Sequence, residues 1–281
     1  MKLAVSTLGC PAWSVEQAAA RAQEFGYEGV ELRLLDGEVI PPDLPPGERR
    51  RVKQAFRAAG LPIVCVDTSA RFTAREAEVR RKQQQDVRAY LQIANDWEAP
   101  LVRVFGGNLP EGVGESQGVE YLAESLSNLA PEAGRAGVTI ALETHDAFSA
   151  GRLVAEVLRR VPSRNVAALW DTHHPYRMGE TPEQTWDFVG ERLVHTHVKD
   201  ARRKPDGGWQ LVLLGEGEVP VKDAMAVWAQ HGYDGYVCVE WEKKWHPEIE
   251  EPEVAFPHHL RVLRGYLAAL ATSAAVSAGP S

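Results

Sequence analysis

Residues 165–177 read NVAALWDTHHPYR, an apolar run that stops at a carboxylate, continues through two adjacent imidazoles and then meets a proline. Apolar side chains at successive positions suit a short strand covered on both faces, as in a parallel sheet. Pro175 argues against an immediate helical start. Taken alone, Asp171, His173 and His174 make a polar turn as readily as a site. The choice depends on how the neighbouring runs end.

Working outward, VTIALE (138–143), LVHTHVK (193–199) and GYVCVE (235–240) have the same character. Upstream lie four more such runs, at 2–7, 29–34, 61–67 and 100–106. Amphipathic stretches separate them. SVEQAAARAQEFG (14–26) has a serine cap and a terminal glycine. Further helices are expected over 46–60, 74–97, 115–137, 149–161, 181–190, 219–232 and 252–271. Pro131 should kink or divide the fourth of these eight. Strand then helix, eight times over, predicts a single-domain α/β protein, a (β/α)8 barrel over residues 1–271. An open doubly wound sheet would need a GxGxxG turn after an early strand, and none is present. The small, polar stretch TSAAVSAGPS (272–281) is expected to be a disordered tail.

A chain of 281 residues is long enough for one large core. Its net charge of −8 argues against a nucleic-acid partner, which requires a basic face. Three widely spaced cysteines form neither a disulfide framework nor a CxxC metal motif. They suit a reducing compartment. No apolar run has the length of a secretory core or a membrane span, so a cytoplasmic protein with no membrane partner is expected.

Four consecutive predicted strands end on a potential metal ligand: Glu143, Asp171, His197 and Glu240. In a barrel, the carboxyl ends of neighbouring strands ring one mouth. Three carboxylates brought together there would repel one another and would be costly to bury, and a divalent cation relieves both penalties. Each residue singly could merely begin a loop; four at equivalent ends favour one site. The oxygen-rich set suits Mn2+ or Mg2+, with Co2+ or Zn2+ also compatible. Open coordination positions would let adjacent substrate oxygens approach a Lewis acid. Glu31 in the second strand and Arg103 in the fourth are candidates for orienting ligands or holding substrate. His195 and His197, two apart, share a strand face, and His197 lies nearer the end. Gly215 and Gly217 in GEGE suit a tight loop rather than a phosphate cradle.

The ordered set GYEGVELR, LVRVFGG, ALETHD, LWDTHHPYR, HTHVKD, GEGEVP and YVCVEWEKKW resembles the sugar phosphate isomerase/epimerase superfamily, the xylose isomerase-like TIM barrels. The resemblance runs over nearly the whole chain and implies that fold. It also implies a metal held by Glu143, Asp171, His197 and Glu240, with the two glutamates acting as a proton-transfer pair on a carbohydrate or cyclitol. His174 and Arg203 fall where the ketose 3-epimerases of the superfamily contact substrate. The resemblance leaves room for a homo-oligomer. Lys199 departs from those epimerases and looks more like the inosose-dehydratase type. It is either a substrate-binding or proton-donating group or a lysine whose ammonium reaches solvent at the rim. Inosose-dehydratase-like lyase chemistry is therefore the runner-up to isomerisation or epimerisation. A sugar-binding barrel without catalysis ranks lower. So does an AP-endonuclease-like nuclease, because the third and fourth strands end without the histidines its three-zinc site needs.

Overall fold

A computed structural model describes residues 1–277. Eight parallel strands close into a barrel: β1 (Lys2–Ser6), β2 (Gly29–Leu32), β3 (Ile63–Asp67), β4 (Leu101–Val104), β5 (Thr139–Glu143), β6 (Val166–Asp171), β7 (Leu193–Val198) and β8 (Tyr236–Val239). Each lies beside its neighbours in sequence, and β8 pairs with β1 to shut the ring. The expected fold is observed.

The helices are α1 (Val15–Phe25), α2 (Pro46–Ala58), α3 (Ala77–Trp97), α4 (Glu115–Ala136), α5 (Gly151–Arg160), α6 (His173–Arg177), α7 (Pro182–Val189), α8 (Val221–Gln230) and α9 (Pro252–Ser277). The expected start and stop of α1 are found. Ser14 and Gln17 form a reciprocal capping box, and Gly26 ends the helix at φ +93. The apolar faces of the helices bury against the outer face of the sheet, as Val52, Phe56, Leu122, Leu126 and Val154 do.

Four local features differ from expectation. Helix α4 runs unbroken through Pro131. Ser127, whose carbonyl loses its helical donor, is exposed along with Pro131, so water can satisfy the freed group. Residues 173–177 form a short helical turn despite Pro175. The proline sits in the first turn, where its missing N–H is not needed. The stretch after β7, where no strand is expected, is a two-stranded antiparallel ribbon, Asp200–Arg203 with Trp209–Val212. Helix α9 continues past Ala271 through Ser277, over residues expected to be tail, and residues 278–281 lie outside the described residues.

Among the described residues no helix is long and apolar enough to cross a membrane. All three cysteines are buried and free.

Candidate metal centre

Strand register aims the four expected ligands at one point. Glu143 pairs with Leu169, two residues before Asp171; Asp171 pairs with His197; and His197 pairs with Cys238, two residues before Glu240. Steps of zero or two keep all four side chains on one face. Ligand atoms from Glu143, Asp171, His197 and Glu240 lie within 4.8 Å of one another, and all four residues are buried.

Local bonds fix the individual groups. The backbone of Asp171 is held by Thr144, whose hydroxyl accepts from Asp171 N at 3.0 Å. One oxygen of Asp171, Oδ1, caps α6 by accepting from His173 N at 2.8 Å and His174 N at 3.3 Å. That leaves Oδ2 for the centre. Glu240 N donates to Val198 O at 3.2 Å, which continues the β7–β8 ladder one step to the ligand. His197 Nδ1 lies 3.4 Å from both Glu143 Oε1 and Glu240 Oε1.

The residues fit a divalent cation. His197 Nδ1 and both oxygens of Glu143 are buried without a hydrogen-bond partner among the described residues. Such groups are costly to leave unsatisfied. Burial, with the Glu240 and Glu143 charges, pushes Asp171 up to about 6 against the pull of Lys199. Burial also opposes charge on His197, yet Glu31, Glu240 and Glu143 hold it well above its ordinary value. A ring that draws protons onto its own ligands is one that a cation would neutralise in their place.

Lys199 does not reach solvent: its side chain is 1% exposed. The ammonium lies 2.9 Å from Asp171 Oδ2 and is bonded to Glu240 and Glu242 as well. Burial disfavours its charge, but Asp171, Glu240, Glu242 and Glu143 together hold it well above the usual lysine value.

Glu31 and Arg103 both make direct contacts with the ring. Glu31 Oε2 accepts from His195 Nε2 at 2.9 Å and from His197 Nε2 at 2.8 Å. Arg103 bridges Asp67 Oδ2 at 3.1 Å and Glu143 Oε2 at 3.3 Å, with its guanidinium stacked 3.9 Å from the Phe105 ring centroid. Both contact members of the ring, an arrangement suited to orienting those side chains.

His174 does reach the centre. Its Nε2 lies 3.8 Å from Asp171 Oδ2, and neither ring nitrogen has a hydrogen-bond partner among the described residues. His173 packs edge-on against Trp209, at 5.0 Å between centroids. Arg203 is exposed on the ribbon, facing Trp209 across the strand pair, and is not gathered into the ring. Of the other tryptophans near the mouth in sequence, Trp170 and Trp241 are core residues and Trp245 is exposed. The expected phosphate-free reading of GEGE holds: the amides of Gly215, Gly217 and Val219 all donate to the Asp200 carboxylate, which fills the place of an external anion.

Sequence reasoning missed Glu242 and Asp67. Glu242 is two residues past Glu240, and the two-residue spacing that puts alternate side chains of an extended segment on one face marks it. Asp67 ends β3 as Asp171 ends β6.

A family model described as xylose isomerase-like TIM barrel matches residues 19–266. The chain is 24% identical over 250 residues to fructoselysine 3-epimerase of Escherichia coli O157:H7, covering 85% of this chain and 90% of that one. It is 25% identical over 167 residues to inosose dehydratase of Bacillus licheniformis, covering 53% of each. A crystal structure of an IOLI protein with a binding zinc atom superposes with a TM-score of 0.80 at 17% identity, over 96% of this chain and 99% of that one.

Proposed function

The chain belongs to the xylose isomerase-like TIM-barrel family, and from that premise we propose that it is a divalent-metal-dependent sugar or polyol-ketone epimerase or isomerase. Similarity to a sugar epimerase over most of both chains supports an enzyme of this kind. One observation carries the metal dependence: the convergence of Glu143, Asp171, His197 and Glu240 in a buried ring with unsatisfied ligand atoms. Mn2+ or Mg2+ suits the three carboxylates best, with Co2+ and Zn2+ compatible. The substrate is a small carbohydrate or cyclitol, and three free buried cysteines suit a cytoplasmic setting.

The chemistry a divalent ion would supply is Lewis acidity toward a carbonyl and its neighbouring hydroxyl. Glu143 and Glu240 divide the proton work. One takes the proton from the carbon beside the carbonyl, leaving an enediolate, and the other delivers a proton to the opposite face. The two carboxylates meet different neighbours, Arg103 for Glu143 and Lys199 for Glu240, and so are not equivalent bases. His174, whose ring nitrogens have no hydrogen-bond partner among the described residues, offers a hydrogen bond to a substrate oxygen.

A second reading, a dehydratase, is favoured by the similarity to inosose dehydratase together with Lys199 in the ring. After the same proton abstraction, Lys199 would protonate a β-hydroxyl that leaves as water.

The test is metal analysis of the purified protein followed by solvent deuterium incorporation across ketoses, inososes and hydroxy-keto acids. Glu240→Gln should retain substantial metal and lose exchange at the substrate α-carbon; undiminished exchange would remove the assignment. An ultraviolet-absorbing enone product would select the dehydratase.

A further inference from the structure

We propose that Glu31 is a positioning residue that presents the Nδ1 lone pair of His197 to the carboxylate ring, so that a divalent cation is bound through Nδ1. This rests on the metal reading above and adds which atom binds and what sets it. An ionised carboxylate can only accept hydrogen bonds. Because Glu31 Oε2 lies 2.9 Å from His195 Nε2 and 2.8 Å from His197 Nε2, both rings must direct Nε2–H at that one oxygen. The nitrogen left to His197 is Nδ1. It faces Glu143 and Glu240 at 3.4 Å each and has no hydrogen-bond partner among the described residues.

The arrangement is also rigid. Glu31 lies on β2 and both histidines lie on β7, so the contact spans the barrel interior rather than a loop. The two rings stand nearly perpendicular, at 81°, with centroids 5.5 Å apart, and converge on the same oxygen. His195 thereby braces Glu31, and Glu31 braces His197. All three residues are buried with 0% exposure, so water cannot replace a lost contact. If the His197 ring flipped, Cδ2–H would take the place of Nδ1 and the lone pair would be lost to the cation. The place of Glu31 is therefore that of the carboxylate behind a ligating histidine, which fixes the tautomer and the ring plane.

The experiment titrates metal-stripped wild-type, Glu31→Ala and Glu31→Gln proteins with Mn2+ or Zn2+ by calorimetry, with circular dichroism on each to verify folding. Glu31→Ala should weaken metal affinity roughly 10- to 100-fold. Glu31→Gln keeps an acceptor oxygen and should recover most of that loss. Affinity in Glu31→Ala equal to wild type would overturn the proposal. Should the alanine variant not fold, nitrogen-15 histidine spectra of the Zn2+-loaded wild type decide: zinc on Nδ1 with Nε2 protonated supports the proposal, and zinc on Nε2 overturns it. A wild-type protein that binds neither ion would overturn the metal reading and this proposal together.

Discussion

The ammonium of Lys199 lies 2.9 Å from Oδ2 of Asp171, so a buried cation already touches the ring proposed to hold a metal. Lys199 also bonds to Glu240 and Glu242. Removing it would leave buried carboxylates without their counter-charge. Lys199→Met should destabilise the metal-stripped protein by about 3–5 kcal/mol, the usual result of breaking a buried ion pair from one side. Saturating Mn2+ should recover part of that loss. Urea denaturation with and without the ion measures both, and an equal loss in the two conditions would detach Lys199 from the metal ring.

Arg103 is the cation on the other side of the ring, joining Asp67 to Glu143 while only 1% exposed. Burial pushes Asp67 up to about 7 even with Arg103 beside it. Arg103→Met preserves the apolar stem but removes both charge contacts. A stability loss of about 3–5 kcal/mol is expected, together with slower solvent exchange at the substrate α-carbon, because Glu143 loses its brace. Chemical denaturation and deuterium incorporation test the two effects separately.

His259 gives a pH dependence through a group outside the proposed ligand set. It accepts a hydrogen bond from Leu214 N at 3.3 Å and packs against Trp241. Burial first, then the neighbouring His258 charge, lowers it to about 3. The unfolded chain therefore takes up a proton below about 6.5 that the folded protein refuses. Acid favours unfolding through this group, so its contribution is fully present above 6.5 and is lost as pH falls toward 3. The slope is about 1.4 kcal/mol per pH unit. Comparing the pH dependence of stability in wild type and His259→Gln should isolate that slope as the difference between the two profiles.

Gly217 is held close to Asp200: a Cβ there would stand 2.1 Å from Asp200 Oδ1 and 2.5 Å from Ala201 O. Gly217→Ala must displace the carboxylate that collects the amides of Gly215, Gly217 and Val219. A loss of about 1–3 kcal/mol is expected, as for overpacking, and thermal unfolding measures it.

The eight strands and the four candidate ligands were legible because each strand is a short continuous apolar run and four consecutive runs close on Glu, Asp or His. The rule that placed Asp171 at a strand end also placed Glu143 and Glu240. It failed where tertiary pairing decides. The ribbon Asp200–Arg203 with Trp209–Val212 depends on cross-strand bonds that RRKPDGGWQ does not announce by alternation. Glu31 and Arg103 were found, but whether each faces substrate or a ligand depends on which strand stands across the barrel, a relation no local window contains. Trp241 and Lys243, in a charged stretch, are buried. The indole N–H donates to Glu250 O at 2.8 Å and the ammonium donates to Pro247 O and Ile249 O, so the loop after β8 folds back on itself.

Strand β8 pairs with β1, and Glu240 follows it directly. A chain emerging from the ribosome thus carries Glu143, Asp171 and His197 for some time without their fourth companion. Only when the last strand slots in beside the first is the cage complete. On the proposed metal reading, ion capture would then report that the ring has shut, and a half-built chain would have only a partial grip to offer.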